Sequence, residues 1–90
     1  MAREIDVDID ALKSFVDALR QFQSKTTDRF KAVEADWTVC DASWKGDAKQ
    51  DFTQGFEQTR QAISDALENG DQAVRWLEKL HEILEEFERR

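Results

Sequence analysis

The stretch Asp41-Ala-Ser-Trp-Lys-Gly-Asp-Ala-Lys-Gln-Asp-Phe52 lies near the middle of a 90-residue chain and separates two long runs of helical apolar spacing. It reads as the bend of a helical hairpin. Gly46 can take the positive φ that a tight reversal asks for, and Ser43, Asp41 and Asp47 are expected to cap amides left open where a new helix begins. Trp44 is the odd member. A large aromatic in an otherwise polar turn needs an apolar surface, so its ring is expected to fold over the end of the hairpin or into a partner.

Beyond the turn, Phe52, Phe56, Thr59, Ile63, Ala66, Gly70, Ala73, Leu77, Leu80, Leu84 and Phe87 alternate steps of four and three. That is the seam of an antiparallel coiled coil or bundle, and it predicts a second helix over about 47–87. A second stripe, Leu67, Val74 and His81, lies beside the seam, with Trp76 near its other edge. A face this broad predicts that the helix touches both its own neighbour and a second protein. Asn69-Gly70 is the one place where it could break, with a three-helix arrangement as the alternative. Because the seam continues in register on both sides, an unbroken helix is expected, in which Gly70 permits close approach.

Before the turn, Leu12, Phe15, Val16, Leu19, Phe22, Phe30, Val33 and Trp37 predict a first helix over about 9–39, with Asp8 as its N-cap and the turn over about 40–46. Ser24 to Thr27 interrupt its apolar face. Residues 1–7 alternate apolar and acidic but have no second strand to pair with, so they read as an extended lead-in. The last residues, 85–90, are expected to fray.

Ninety residues allow one domain with a thin core, often completed by another chain. No proline, three glycines and 37% charged residues indicate an all-α domain. The net charge of −7 is shared between the halves: residues 1–43 carry six basic and nine acidic side chains, residues 44–90 seven and eleven. That balance argues against nucleic acid or anionic lipid as the main partner. No apolar run approaches a membrane span, and the first residues lack the apolar segment of a signal peptide.

No catalytic constellation is visible, so no enzymatic activity is expected. His81 and Cys40 are each the only residue of their type, and the hairpin places them near opposite ends, too far apart for a dyad. They cannot build a zinc site, and the acidic residues lack a calcium loop. No metal or cofactor is expected. Cys40 reads as a small apolar residue beside the turn, and Trp37 as packing near Phe52. Trp44, Phe56, Leu67, Val74 and Trp76 are the candidates for a partner interface.

Trp44, Gly46, Ala48 and Phe52 fit the pattern Trp-x-Gly-x-Ala-x-x-x-Phe, placed at mid-chain between two amphipathic helices. In this the chain resembles the WXG family of small helical hairpin proteins of type VII secretion, of the early secretory antigenic target type. The resemblance implies antiparallel pairing into a four-helix bundle, as a homodimer or as a heterodimer with another hairpin. It implies a secreted substrate, or the escort of a larger effector with a helical N-terminal domain, in contact with the secretion ATPase. Export would follow a signal-peptide-independent route from the cytoplasm. In many members a tyrosine followed four residues later by an acidic residue marks export; this sequence has no tyrosine, and only His81 with Glu85 has comparable spacing. The expectation is therefore that a partner supplies the signal or that the protein stays inside as a targeting factor. The alternative is a cytoplasmic helical-bundle adaptor or regulatory protein unrelated to secretion.

Overall fold

A computed structural model describes residues 6–89. The lead-in reading of residues 1–5 and the fraying of Arg90 lie outside them. Two helices, α1 (Ile9–Ser43) and α2 (Asp47–Glu88), form an antiparallel hairpin measuring 66 × 25 × 14 Å. The fold is all-α.

α1 begins where Asp8 turns extended and its carboxylate accepts from the Ala11 amide at 3.1 Å. Asp10 in the first turn adds negative charge at the positive end of the helix dipole. α1 runs past Val39 to Ser43, where Trp44 leaves helical geometry and its N–H donates to the Cys40 carbonyl. Local backbone geometry, rather than the end of the apolar pattern, stops it.

The caps of the bend differ from the expected ones. Gly46, at φ 113°, is the N-cap of α2 and provides no side-chain hydrogen bond. Ser43 instead donates back to the Cys40 carbonyl at 3.2 Å, and Asp41 pairs with Lys49 across the turn. Lys49 also donates to the Asp41 carbonyl at 3.0 Å, satisfying an acceptor left open at the end of α1. Asp47 stays in the first turn of α2 as a favourable charge.

α2 is unbroken through Asn69 and Gly70. Its packed edge is not quite the one that the spacing singles out. Phe56, Ile63, Gly70, Leu77 and Leu84 face α1 as expected, but the positions between them are filled by Arg60, Leu67, Val74 and His81. Thr59, Ala66, Ala73 and Phe87 lie outside. Both edges share the same period, and bulk decides between them: turning Leu67 and Val74 inward removes more apolar area from water than turning Ala66 and Ala73.

Midway along the hairpin the contact is polar. Gln23 is buried, and its side-chain amide donates to the Leu67 carbonyl at 2.8 Å and to the Asp71 carboxylate at 3.0 Å. A Cβ at Gly70 would sit 2.3 Å from the Gln23 Oε1. Gly70 therefore makes room for the Gln23 amide, which locks the helices in register.

The apolar core is thin. Among the described residues only Leu12, Val16 and Val74 are buried apolar side chains. The accessible surface is 7433 Å². A compact monomer of this mass exposes about 5,400 Å² by the usual scaling, so roughly 2,000 Å² is in excess.

Candidate partner interface

The turn carries an aromatic cluster. Trp37 sits at its centre, with ring centroids 6.3 Å from Trp44, 5.3 Å from Phe52 and 5.1 Å from Phe56. Trp44 and Phe52 lie 5.6 Å apart, and Phe52 stacks on Phe56 at 5.3 Å. These separations suit tilted and edge-to-face aromatic pairs. Trp37 on α1, Trp44 just past its end and Phe52 and Phe56 on α2 come together because the chain reverses within Trp44, Lys45 and Gly46, the last at positive φ. Trp44 thus folds over the hairpin end while one side of it borders a shallow groove with Asp41, Lys45, Gly46, Lys49 and Thr53. Ala48 is exposed on the first turn of α2.

Away from the turn the hairpin has two unlike flanks. One is ion-paired. Arg20 bridges to Glu78 of α2 and also to Asp17, which in turn accepts from Lys13. Arg60 bridges to Glu34 of α1 and to Glu57. The Glu78 carboxylate holds the Arg20 guanidinium above its ordinary pKa, and the Glu34 carboxylate does the same for Arg60. Lys13, donating to Asp17, is the main cause that holds that carboxyl below the usual range, with Arg20 adding to it.

The other flank is apolar and uncovered. On α1, Phe15, Phe22 and Val33 are 55%, 60% and 50% exposed. On α2, Trp76, Ile83 and Phe87 are 66%, 55% and 74% exposed. At 3.6 residues per turn, each set is displaced to one side of its own packed seam. Because the helices run antiparallel, the two displacements fall on the same side of the hairpin. The result is one continuous face without an ion pair across it among the described residues. A contiguous apolar surface of this extent on a small protein marks an interaction site.

The residues expected at a partner interface divide accordingly. Trp76 lies on the open flank. Phe56 and Leu67 are half-buried in the hairpin, Phe56 against Trp37. Val74 needs correcting: it is only 7% exposed and belongs to the hairpin's own core. The reason is again the choice of edge on α2. Phe15, Phe22, Ile83 and Phe87 were not singled out as contact residues. The seven-residue step from Phe15 to Phe22, off the Leu12–Val16–Leu19 line, is the signal that identifies the first two.

The His81 ring is mostly covered, with Nδ1 3.7 Å from Glu85 and Nε2 buried without a hydrogen-bond partner. It faces Val16 and the Lys13–Asp17 pair on α1. A receptor passing along α2 would meet Glu85 and not the imidazole, which weakens the pair as an export signal. Cys40 is exposed rather than packed beside the turn.

Among the described residues no group of His, Cys, Asp and Glu side chains is placed to hold a metal ion. No helix is long and apolar enough to cross a membrane. No curated protein and no solved structure matches the chain. A family model does, that of proteins of 100 residues with WXG, over residues 4–89. With the hairpin, the mid-chain bend and a match across nearly its whole length, the chain belongs to the WXG100 family, the WXG-type helical proteins of type VII secretion.

Proposed function

We propose that this protein works as a non-enzymatic pairing subunit of a type VII secretion system, either exported as a dimer or escorting a larger effector through its helical N-terminal domain. The observation that carries this reading is the asymmetry of the flanks. One side is stitched by ion pairs that satisfy its charges within the chain, and the other exposes Phe15, Phe22, Trp76 and Phe87 with nothing among the described residues to cover them. A second hairpin laid on that side would complete a four-helix bundle.

The turn supplies the second surface. Trp44, Gly46, Ala48 and Phe52 shape the end of the hairpin, and the groove beside Trp44 stays accessible when the flank is covered. In this reading it is where the secretion ATPase or the effector docks. Export then follows the type VII route from the cytoplasm. Family membership supports this.

The test is secretion itself. In a host with the type VII genes, Trp76→Glu is expected to abolish export of this protein together with its partner, and Trp44→Ala to abolish export while leaving pairing intact. Undiminished export of both variants would overturn the proposal.

A further inference from the structure

Gln23 and His81 are polar side chains at seam positions, and they bracket the half of the hairpin away from the turn. Gln23 is buried at the waist, its amide held by the Leu67 carbonyl and the Asp71 carboxylate on either side of Gly70. His81 sits near the open end with Nε2 buried and no hydrogen-bond partner among the described residues, and its Nδ1 reaches only Glu85, at 3.7 Å. Lys13, Val16 and Asp17 across from it leave Nε2 unsatisfied. A buried polar atom without a partner favours any state in which water reaches it.

The Gln23–Gly70 contact divides the seam into two apolar blocks. Toward the turn, Phe30, Ile63 and Leu67 lead into the ring cluster around Trp37, reinforced by the Arg60–Glu34 and Lys49–Asp41 pairs. Toward the open end lie Leu12, Val16, Val74, Leu77 and Leu84, while Phe15, Trp76 and Phe87 point outward and add little to closure. The blocks differ in topology. With the turn block closed, the open block can part freely. The reverse would leave about fifty residues between Gln23 and Gly70 as a loop held shut by the open block alone, an entropic cost that the tight reversal at Gly46 avoids. Once parted, segments 9–22 and 71–88 are close to the ~12–15 residues below which a lone helix melts in water, so separation and unwinding go together.

We propose that a single hairpin opens in two steps: the open block parts as one unit up to the Gln23–Gly70 contact, while the turn block and the groove beside Trp44 keep their shape. His81 sets how readily the block parts, because its unsatisfied nitrogen is hydrated only in the opened form. Gln23 sets where the parting stops, because its amide ties α1 to α2 on both sides of Gly70. The opened form makes Leu12, Val16 and Val74 accessible, side chains that the closed hairpin buries, and still presents the turn surface. This concerns two states of one chain and does not depend on what covers the apolar flank.

Hydrogen exchange read by mass spectrometry on peptic fragments, at fixed neutral pH and at a dilution where the chain is alone, tests this. The wild-type chain is expected to show a step, with the amides of 13–22 and 71–86 sharing one opening constant and those of 31–43 and 51–62 protected about tenfold more or better. His81→Leu removes the orphan nitrogen and is expected to slow exchange about tenfold in the first set while leaving the second unchanged. Gln23→Ala removes the tie at the boundary, so the faster rate is expected to spread into 24–30 and 63–70. Protection that declines smoothly from the turn to the open end, or one rate shared by both sets, overturns the two-step opening. A His81→Leu effect of equal size in both sets, or none in the first, overturns the role of His81. A boundary that stays in place in Gln23→Ala overturns that of Gln23.

Discussion

The two ends of the hairpin place their aromatic residues in opposite ways. At the turn, Trp37, Trp44, Phe52 and Phe56 face one another, with every neighbouring pair of rings between 5.1 and 6.3 Å apart. From the middle of the hairpin to its open end, Phe22, Trp76, Phe15 and Phe87 face outward, each more than half exposed. At the turn end the chain reversal supplies an aromatic neighbour for every ring, although Phe52 keeps 44% of its surface exposed. At the open end the described residues offer two helices and no third surface. Its aromatics therefore carry apolar area that a second chain laid on the flank would remove from water.

The contrast predicts different losses at the two tryptophans. Trp37→Ala should destabilise the hairpin by about 3 kcal/mol, read by urea denaturation at a dilution where the chain is alone, because it empties the centre of the cluster. Trp76→Ala should change that unfolding free energy by no more than about 0.5 kcal/mol while weakening association roughly 30-fold, read by sedimentation. Equal effects of the two substitutions on unfolding would erase the distinction between the ends.

Between the ends sits the Gln23–Gly70 contact, and it gives the next largest effect. Gly70→Ala adds helix propensity worth about 1 kcal/mol but pushes the Gln23 amide off its two acceptors, at a cost of about 1–3 kcal/mol. The net expectation is a loss of about 1 kcal/mol. In a Gln23→Ala background the clash is gone, and the same substitution should stabilise by up to about 1 kcal/mol. A thermal-denaturation double-mutant cycle reads that change of sign, and equal effects in both backgrounds would contradict the geometry.

Much of this was legible before any coordinates. Gly46 could be identified as the reversal because a tight bend asks for positive φ and glycine alone takes it freely. Asp8 was legible as a cap because it precedes the first apolar-periodic residue. The packed edge of α2 was not, because Phe56, Ile63, Gly70, Leu77 and Leu84 belong to both candidate stripes. Periodicity cannot choose between Ala66–Ala73 and Leu67–Val74; the buried volume chooses. Gln23 was hidden for a different reason. Polar residues at a seam position look like interruptions until the glycine opposite them is seen to make room. The Lys49–Asp41 link escaped because it depends on how the turn folds back, not on spacing within one helix.

The ends differ in smaller ways too. Asp8→Ala should lower stability by about 1 kcal/mol and shorten α1 by roughly a turn, visible as lost helicity, since the Ala11 amide loses its acceptor. The ion-paired flank should respond least. Asp17 titrates below its ordinary value in the folded chain, so its contribution is complete above the unfolded carboxylate pKa and disappears as pH falls through the lower folded value. Comparing the wild-type chain with Asp17→Asn between neutral and strongly acidic pH should show the gap between them closing only at the acid end. Because these groups lie in solvent, added salt should shrink that gap.

The central claim is that a second hairpin covers the flank at the open end, and Trp76 can report on it directly. In a Trp37→Phe, Trp44→Phe chain, Trp76 is the only indole, and acrylamide quenching of its fluorescence measures how open that surface is. The account predicts strong shielding at high protein concentration, and quenching that rises on dilution while helicity holds. An indole quenched as freely in concentrated as in dilute solution, and equally so with the neighbouring hairpin protein added, would mean that nothing covers the flank.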